Sequence, residues 1–437
     1  MSQYRLRKKG RLVLLLAALA SQGSLVAQAD IDREPINYSS REPSDRIYEL
    51  SKRIAEGAVK LEWDEKHGWL PALLKALGVP RSSQTLVFSK TSLQFRHIDP
   101  SRPRALYFND DTYVGWVLYG NNVELAAVDR EYGAMFYTVE QARTEQPEIK
   151  RDRGECMSCH ANPRTQRVPG FLVRSVFPLS DGQPDFRLGT LTTDHRTEFR
   201  DRFGGWYVTG SHGKMRHRGN VFLQGDSDDP IDREAGANLM RLPPRVRADA
   251  YLEPGSDLVA LMLLEHQTQM HNLVTRASYT TRQSLHQQET MNEILGRPTG
   301  YRSESVTRRI HRAAEELLKY LFFYDEYPIS SEIKGSSSFA MEFSSNAMRD
   351  SKGRSLRDLD LERRLFRYPC SYLVYSESFL SLPEPVLTLI KSRMVEILSG
   401  EDRSEPFSHL FSEDRQDILT ILSETHRLFR KTDENTR

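Results

Sequence analysis

The sequence predicts an α+β fold, a β-rich central domain flanked by an N-terminal helical segment and C-terminal helices. Three observations carry that expectation. Residues 85–225 are made of short β-branched and aromatic runs bounded by Gly, Pro, Asn or Asp. The segments on either side place apolar residues three and four apart, the helical period. Around the cysteines of the central region, strands and helices do not alternate as a parallel sheet requires.

The elements follow in order. Residues 1–29 read as a signal peptide. Arg5, Arg7, Lys8, Lys9 and Arg11 precede an apolar core from Leu12 to Ala20, and Ala27-Gln28-Ala29 offers small residues for a cut after Ala29. That core is shorter than the ~20 residues of a permanent anchor. Residues 30–84 form the helical segment, with Ile47, Leu50 and Ile54 on one stripe and Leu70, Leu73, Leu74 and Leu77 on another, ended by Gly78. In the 85–225 domain, "TLVFSKTSLQF", "RALYFNDDTYVGWVLY", "VELAAVD", "GAMFYTV", "GFLVRSVFPL", "FRLGTLTTD" and "GGWYVTG" are the strands of an antiparallel sheet. Residues 226–325 are helical and expected to pack on that domain: Val259, Met262, His266, Met270, Leu273 and Ala277 trace one stripe, and a second helix runs near 303–324. Residues 326–355, with "KGSSSF" and "RDSKGRS", read as a surface connection. The tail, 356–437, is helical in "SLRDLDLERRLF", "PVLTLIKSRMVEIL" and "EDRQDILTILSETHRLF".

Charge and cysteine usage narrow the function classes. Without its first 29 residues the chain holds 56 basic and 60 acidic side chains, about −4 net, which argues against a general nucleic-acid surface. Three cysteines in a chain of 437 residues do not make a disulfide scaffold. Cys370 lies in the apolar run "FRYPCSYLVYS" and reads as a small buried hydrophobe.

The other two cysteines stand in "RGECMSCHANP", where Cys156, Cys159 and His160 form a C-x-x-C-H motif. Two thiols with a two-residue spacer reach both vinyl groups of a porphyrin from one turn of backbone, and the next histidine falls beneath the iron. Three alternatives compete. With so few cysteines and 12 histidines, chance yields the pattern on the order of once in two thousand such chains. Zinc needs two more ligands, for which His212 and His217 are available, but no second CxxC exists. A redox dithiol wants a βαβ setting that the neighbouring sequence lacks.

The motif is that of c-type cytochromes. The chain as a whole resembles a group of bacterial exported mono-haem proteins, through "RALYFNDDTYVGWV", "CMSCH", "VPGFLVRSVFP", "GGWYVTGSHG" and "EHQTQMHN". The resemblance implies one covalent haem c, with Cys156 and Cys159 as thioethers and His160 as an axial ligand of the iron. It implies a periplasmic or otherwise exported protein and an unidentified redox partner there. Compact class I cytochromes place the motif near the start of a small helical domain; here about 125 residues precede it after the expected cut, so their fold is not carried over.

The far side of the iron decides between electron transfer and ligand chemistry. Candidates for a sixth ligand are His212 and Met215 in the glycine-rich "GSHGKMRHRGN" and His266 on the helical stripe. Each has a structural reading, as a basic turn or as a core histidine bonded to a carbonyl. The sequence thus points to a single-electron carrier with a six-coordinate iron. The alternative is a haem-dependent oxidoreductase acting on peroxide or another small oxidant, with His212, Arg216, His217 and Arg218 supplying polarising groups. A haem-based sensor is the third reading. No dinucleotide fingerprint or phosphate loop suggests another cofactor.

Overall fold

Strand alternation in the middle of the chain builds a seven-stranded antiparallel sheet. In the computed structural model, which describes residues 31–152, 154–224 and 231–430, its strands are β1 (Thr85–Val87), β2 (Arg104–Phe108), β3 (Thr112–Trp116), β4 (Asn122–Asp129), β5 (Gly133–Glu140) and β6 (Ile149–Arg151). After a separate hairpin of β7 (Val173–Val176) and β8 (Thr190–Thr193), β9 (Trp206–Tyr207) returns beside β1. The order is β6-β5-β4-β3-β2-β1-β9, so five successive pairings are sequence neighbours. The α+β expectation holds. The signal-peptide cut lies outside the described residues.

Turn chemistry fixes the register. Between β2 and β3 the Asn109 carboxamide oxygen accepts from the N–H groups of Asp111 and Thr112, at 3.2 and 2.9 Å. Leu106 then stands opposite Gly115, Gly115 opposite Glu124 and Glu124 opposite Thr138, one row on one face. A second row on that face is Tyr113, Ala126 and Phe136.

The opposite face carries Val114, Leu125 and Tyr137 in register. Here lie α1 (Arg46–Ala55) and α2 (Leu70–Leu77), burying Ile47, Leu50 and Ile54 and Leu70, Leu73, Leu74 and Leu77 as their spacing predicts. Asp45 caps α1 by accepting from the N–H groups of Ile47 and Tyr48, and the Tyr137 hydroxyl donates to its other oxygen. Gly78 ends α2 with φ 64°, a conformation that favours glycine.

The first face is covered by the chain around α3 (Met157–His160) and by α4 (Leu258–Ile294). Helix α4 is longer than its apolar stripe and buried all round as far as Thr275. Helix α5 (Glu304–Leu321) packs along it through Val306, Ile310, Ala313, Leu317, Leu318 and Leu321. Beyond β10 (Gly210–Ser211), residues 326–355 are more than a surface connection. Ile329 and Ile333 are buried, β11 (Lys334–Gly335) pairs with β10, and α6 (Phe339–Ser345) buries Phe339 and Phe343.

The run "SLRDLDLERRLF" is not helical. Asp358 accepts from the N–H of Ser355, and Asp360 from those of Glu362 and Arg363. Such local side-chain bonds offer the backbone an alternative to the helix ladder. The tail helices are α7 (Glu377–Leu380), α8 (Glu384–Ser399) and α9 (Ser412–Thr425), and Cys370 is fully buried as expected. Among the described residues no helix is long and apolar enough to cross a membrane.

Candidate functional site

The CMSCH stretch folds as one helical turn, and the chain entering it is held by Asp152. Asp152 accepts from the N–H groups of Gly154 and Cys156 at 3.2 and 3.1 Å, and Cys159 and His160 donate back to the Cys156 carbonyl at 3.1 and 3.0 Å. Three positions on such a turn put Cys156 and Cys159 on one side of it. Met157 anchors the turn in the core, while Cys156 is half-buried, Cys159 is exposed, and both thiols are free.

His160 is held from two directions. Its Nδ1–H donates to the Gly170 carbonyl at 2.8 Å, and the Gly170 N–H donates to the His160 carbonyl at 2.9 Å. That fixes the tautomer and leaves Nε2 as the open nitrogen, the arrangement that orients metal-binding imidazoles. Burial holds the imidazole below its ordinary pKa, with Gly170 opposing, so the ring is neutral at pH 7. Burial, then the Asp152 and Glu124 carboxylates, push the Cys156 thiol up to about 12. An attacking thiol must be the thiolate, and this setting disfavours that form at Cys156.

Asn272 of α4 locks the same loop by accepting from the Phe171 N–H at 2.8 Å and donating to the Phe171 carbonyl at 2.7 Å. A Cβ on Gly170 would lie 2.2 Å from the Asn272 carboxamide oxygen. Gly170→Ala therefore breaks this clamp and should lower stability by about 1–3 kcal/mol. Urea unfolding tests it, and an unchanged midpoint would mean that the loop absorbs the methyl freely.

The turn borders a cavity of about 320 Å³ between the first sheet face and the 155–173 segment. Leu106, Phe136, Phe171, Val173, Trp206 and Leu264 make it apolar, and Cys156, Cys159 and His160 all line it. His160 packs on Phe136 with ring centroids 4.7 Å apart. At the rim, Leu93 and Phe95 are large apolar side chains 53% and 43% exposed.

One ion pair interrupts this apolar lining. Arg104 of β2 reaches across Gly115 to pair with Glu124 of β4, and the other Glu124 oxygen accepts from the Gln94 carboxamide at 3.0 Å. Gln94 is itself held by the Asn122 carbonyl. Sequence reasoning missed this pair, as it missed Gly170 and Asn272. The available signals were a glycine inside strand "TYVGW" and a glutamate at an inward position of "VELAAV".

The structure does not bring the sixth-ligand candidates to this cavity, and the expectation is corrected. Successive residues of α4 turn by about 100°. Leu264 and Thr268 line the cavity, so His266, two residues from each, points to the other side. It lies in the core with Nδ1 2.9 Å from His195 Nδ1 and Nε2 2.8 Å from the Ser371 hydroxyl. His212 is also fully engaged, its Nδ1–H on the Met215 carbonyl at 2.7 Å and its Nε2 accepting from the Asn238 N–H at 3.0 Å. Met215 is buried against Phe199 and Met262 around another, much smaller void. The polarising groups expected with them are elsewhere too. Arg216 pairs with Glu234, Arg218 with Asp201, and His217 packs at a tilt against His212 away from the cavity.

No protein-family model, curated protein or solved structure matches this chain. Among the described residues no group of three or more His, Cys, Asp and Glu side chains is arranged to hold a metal ion.

Proposed function

We propose that this chain is an exported mono-haem c-type protein. Cys156 and Cys159 would hold one haem c as thioethers, His160 Nε2 would ligate its iron, and the protein would pass single electrons to or from a periplasmic partner. The observation that carries the reading is the joint placement of both thiols and a neutral imidazole with an open Nε2 on the wall of one apolar cavity.

The residues present fit such a group. The rings of Phe136, Phe171 and Trp206 and the exposed Leu93 and Phe95 suit a large apolar macrocycle, and Arg104 has a buried Nε–H without an acceptor among the described residues. When bound, the haem would supply an iron cycling between ferrous and ferric states. The protein's own part is to hold and tune. Gly170 fixes the plane and tautomer of His160, and the apolar wall lowers the local dielectric. The exposed rim at Leu93, Phe95 and Cys159 leaves the pocket accessible to a partner's surface.

A specific observation favours the second reading, haem-dependent chemistry on peroxide or another small oxidant. Among the described residues that line the cavity His160 is the only histidine and none is a methionine, so this lining offers the iron no second protein ligand. The test is an absorption spectrum of protein purified from a host able to attach haem to exported cytochromes, taken native and denatured. One haem per chain surviving denaturation is expected; none would return Cys156 and Cys159 to the zinc and dithiol readings. A native high-spin iron that binds carbon monoxide would favour the second reading. A low-spin iron that ignores it would favour the pure electron carrier.

A further inference from the structure

Arginine on the wall of an apolar cavity needs a reason. Of the charged side chains that line this one, Arg104 is the only cation among the described residues. Its guanidinium lies so close over Gly115 that a Cβ there would approach Nε and Nη2 to well inside van der Waals contact. Glycine at that position is thus what lets the side chain run flat across β3. Glu124 then holds it from the far side, and Gln94 holds Glu124. The result is a guanidinium with a fixed direction and at least one donor, the Nε–H, left unanswered in a buried setting. A cation kept in place with spare donors is an anion receptor, and the low-dielectric wall strengthens its field.

We propose that Arg104 is the anion-binding residue of this cavity, receiving a small monoanion beside the group that Cys156, Cys159 and His160 hold. The inference rests on the haem reading and assigns a ligand class to it: halide-like, nitrite-like or hydroperoxide-like monoanions rather than neutral diatomics. Glu124 is a positioning residue that restrains Arg104 and offsets part of its charge. Anion affinity therefore depends on Arg104 and Glu124 in opposite directions.

Ferric haem-loaded protein titrated with fluoride and azide tests this, with carbon monoxide on the ferrous form as the neutral control. Arg104→Leu should weaken both anions at least tenfold while changing carbon monoxide binding less than threefold. Arg104→Lys should recover part of the loss. Glu124→Gln, which keeps the arginine and removes the opposing charge, should tighten anion binding, and it serves on its own if the leucine variant fails to fold. Equal effects on anions and carbon monoxide, no effect on either, or a wild-type protein that binds no anion would each overturn the proposal. Absence of covalent haem from the wild-type protein would instead be the failure of the functional reading, seen before any titration.

Discussion

The double variant Cys156→Ala, Cys159→Ala should retain no haem after denaturation, where the wild-type protein should retain one per chain. The expectation follows from the separate settings of the two thiols. Cys156 is half-buried beside Asp152 and Glu124, and Cys159 is exposed at the rim, yet one turn of backbone puts both on the same side. Each single variant should therefore keep covalent haem through the remaining thioether, with the denatured spectrum shifted to longer wavelength by one unsaturated vinyl group. The double variant should also lose stability. A ligand that fills an apolar cavity of about 320 Å³ stabilises the folded state by its binding free energy, and a non-covalent haem dissociates on dilution. Wild-type haem content in the denatured double variant would sink the assignment of both cysteines at once.

The candidate site was legible in the sequence on one side only. The five-residue motif shows in the sequence which thiols and imidazole come together, because groups this close in the chain share one turn. What stands across the cavity comes from β2, β3 and β4, and no local pattern joins Arg104 to Glu124 over Gly115. The sixth-ligand candidates failed for a related reason. His266 shares an apolar stripe with Met262 and Met270, but a helix buried all round has two apolar faces, and periodicity does not say which one meets the cavity. The face that does is marked by Leu264 and Thr268.

The fold was more legible where burial is one-sided. Helices α1 and α2 lie against the sheet and show clean stripes, and Gly78 ends α2 where its composition indicates. Segments with polar structural roles misled. Ser336 and Ser337 look like linker residues, but their N–H groups donate to the Asp257 carboxylate at 2.7 and 2.8 Å, tying residues 326–355 to the start of α4. The later half of α4 lacks an apolar stripe and continues nonetheless. There Gln288 donates to Asn292 at 2.7 Å and accepts from the Ser303 N–H at 3.1 Å, joining α4 to the cap of α5.

Arg202→Ala should be among the most destabilising single changes, by about 3–5 kcal/mol at pH 7.5, and markedly less so at pH 5. Arg202 and Glu265 are 3% and 0% exposed, with 3.5 Å between Nη1 and Oε2. The guanidinium also donates to the carbonyls of His195 and Thr197 at 2.7 and 2.8 Å, so it serves three groups. Burial pushes the Glu265 carboxyl up to about 7 against the pull of Arg202. Below about pH 4, folded and unfolded chains both keep this proton, and the group is neutral to stability. As pH rises from there, the unfolded chain releases the proton first, so native stability falls until the folded carboxyl ionises near 7. A shift of that size is worth about 3 kcal/mol across the window. Removing Arg202 takes away the cation paired with Glu265, raising its pKa further and extending the loss to higher pH. At pH 5 the carboxyl is protonated and needs no counter-charge, so what remains is a Thr197 carbonyl that has lost its guanidinium donor and a His195 carbonyl left with the Tyr327 N–H alone, about 1–3 kcal/mol. Glu265→Gln should do the reverse, flattening stability between pH 5 and 7.5 while leaving the Arg202 bonds to His195 and Thr197 in place. Urea unfolding of the three proteins at the two pH values decides it. An Arg202→Ala penalty equal at both would mean that the ion pair contributes through packing and hydrogen bonds rather than through the charge of Glu265.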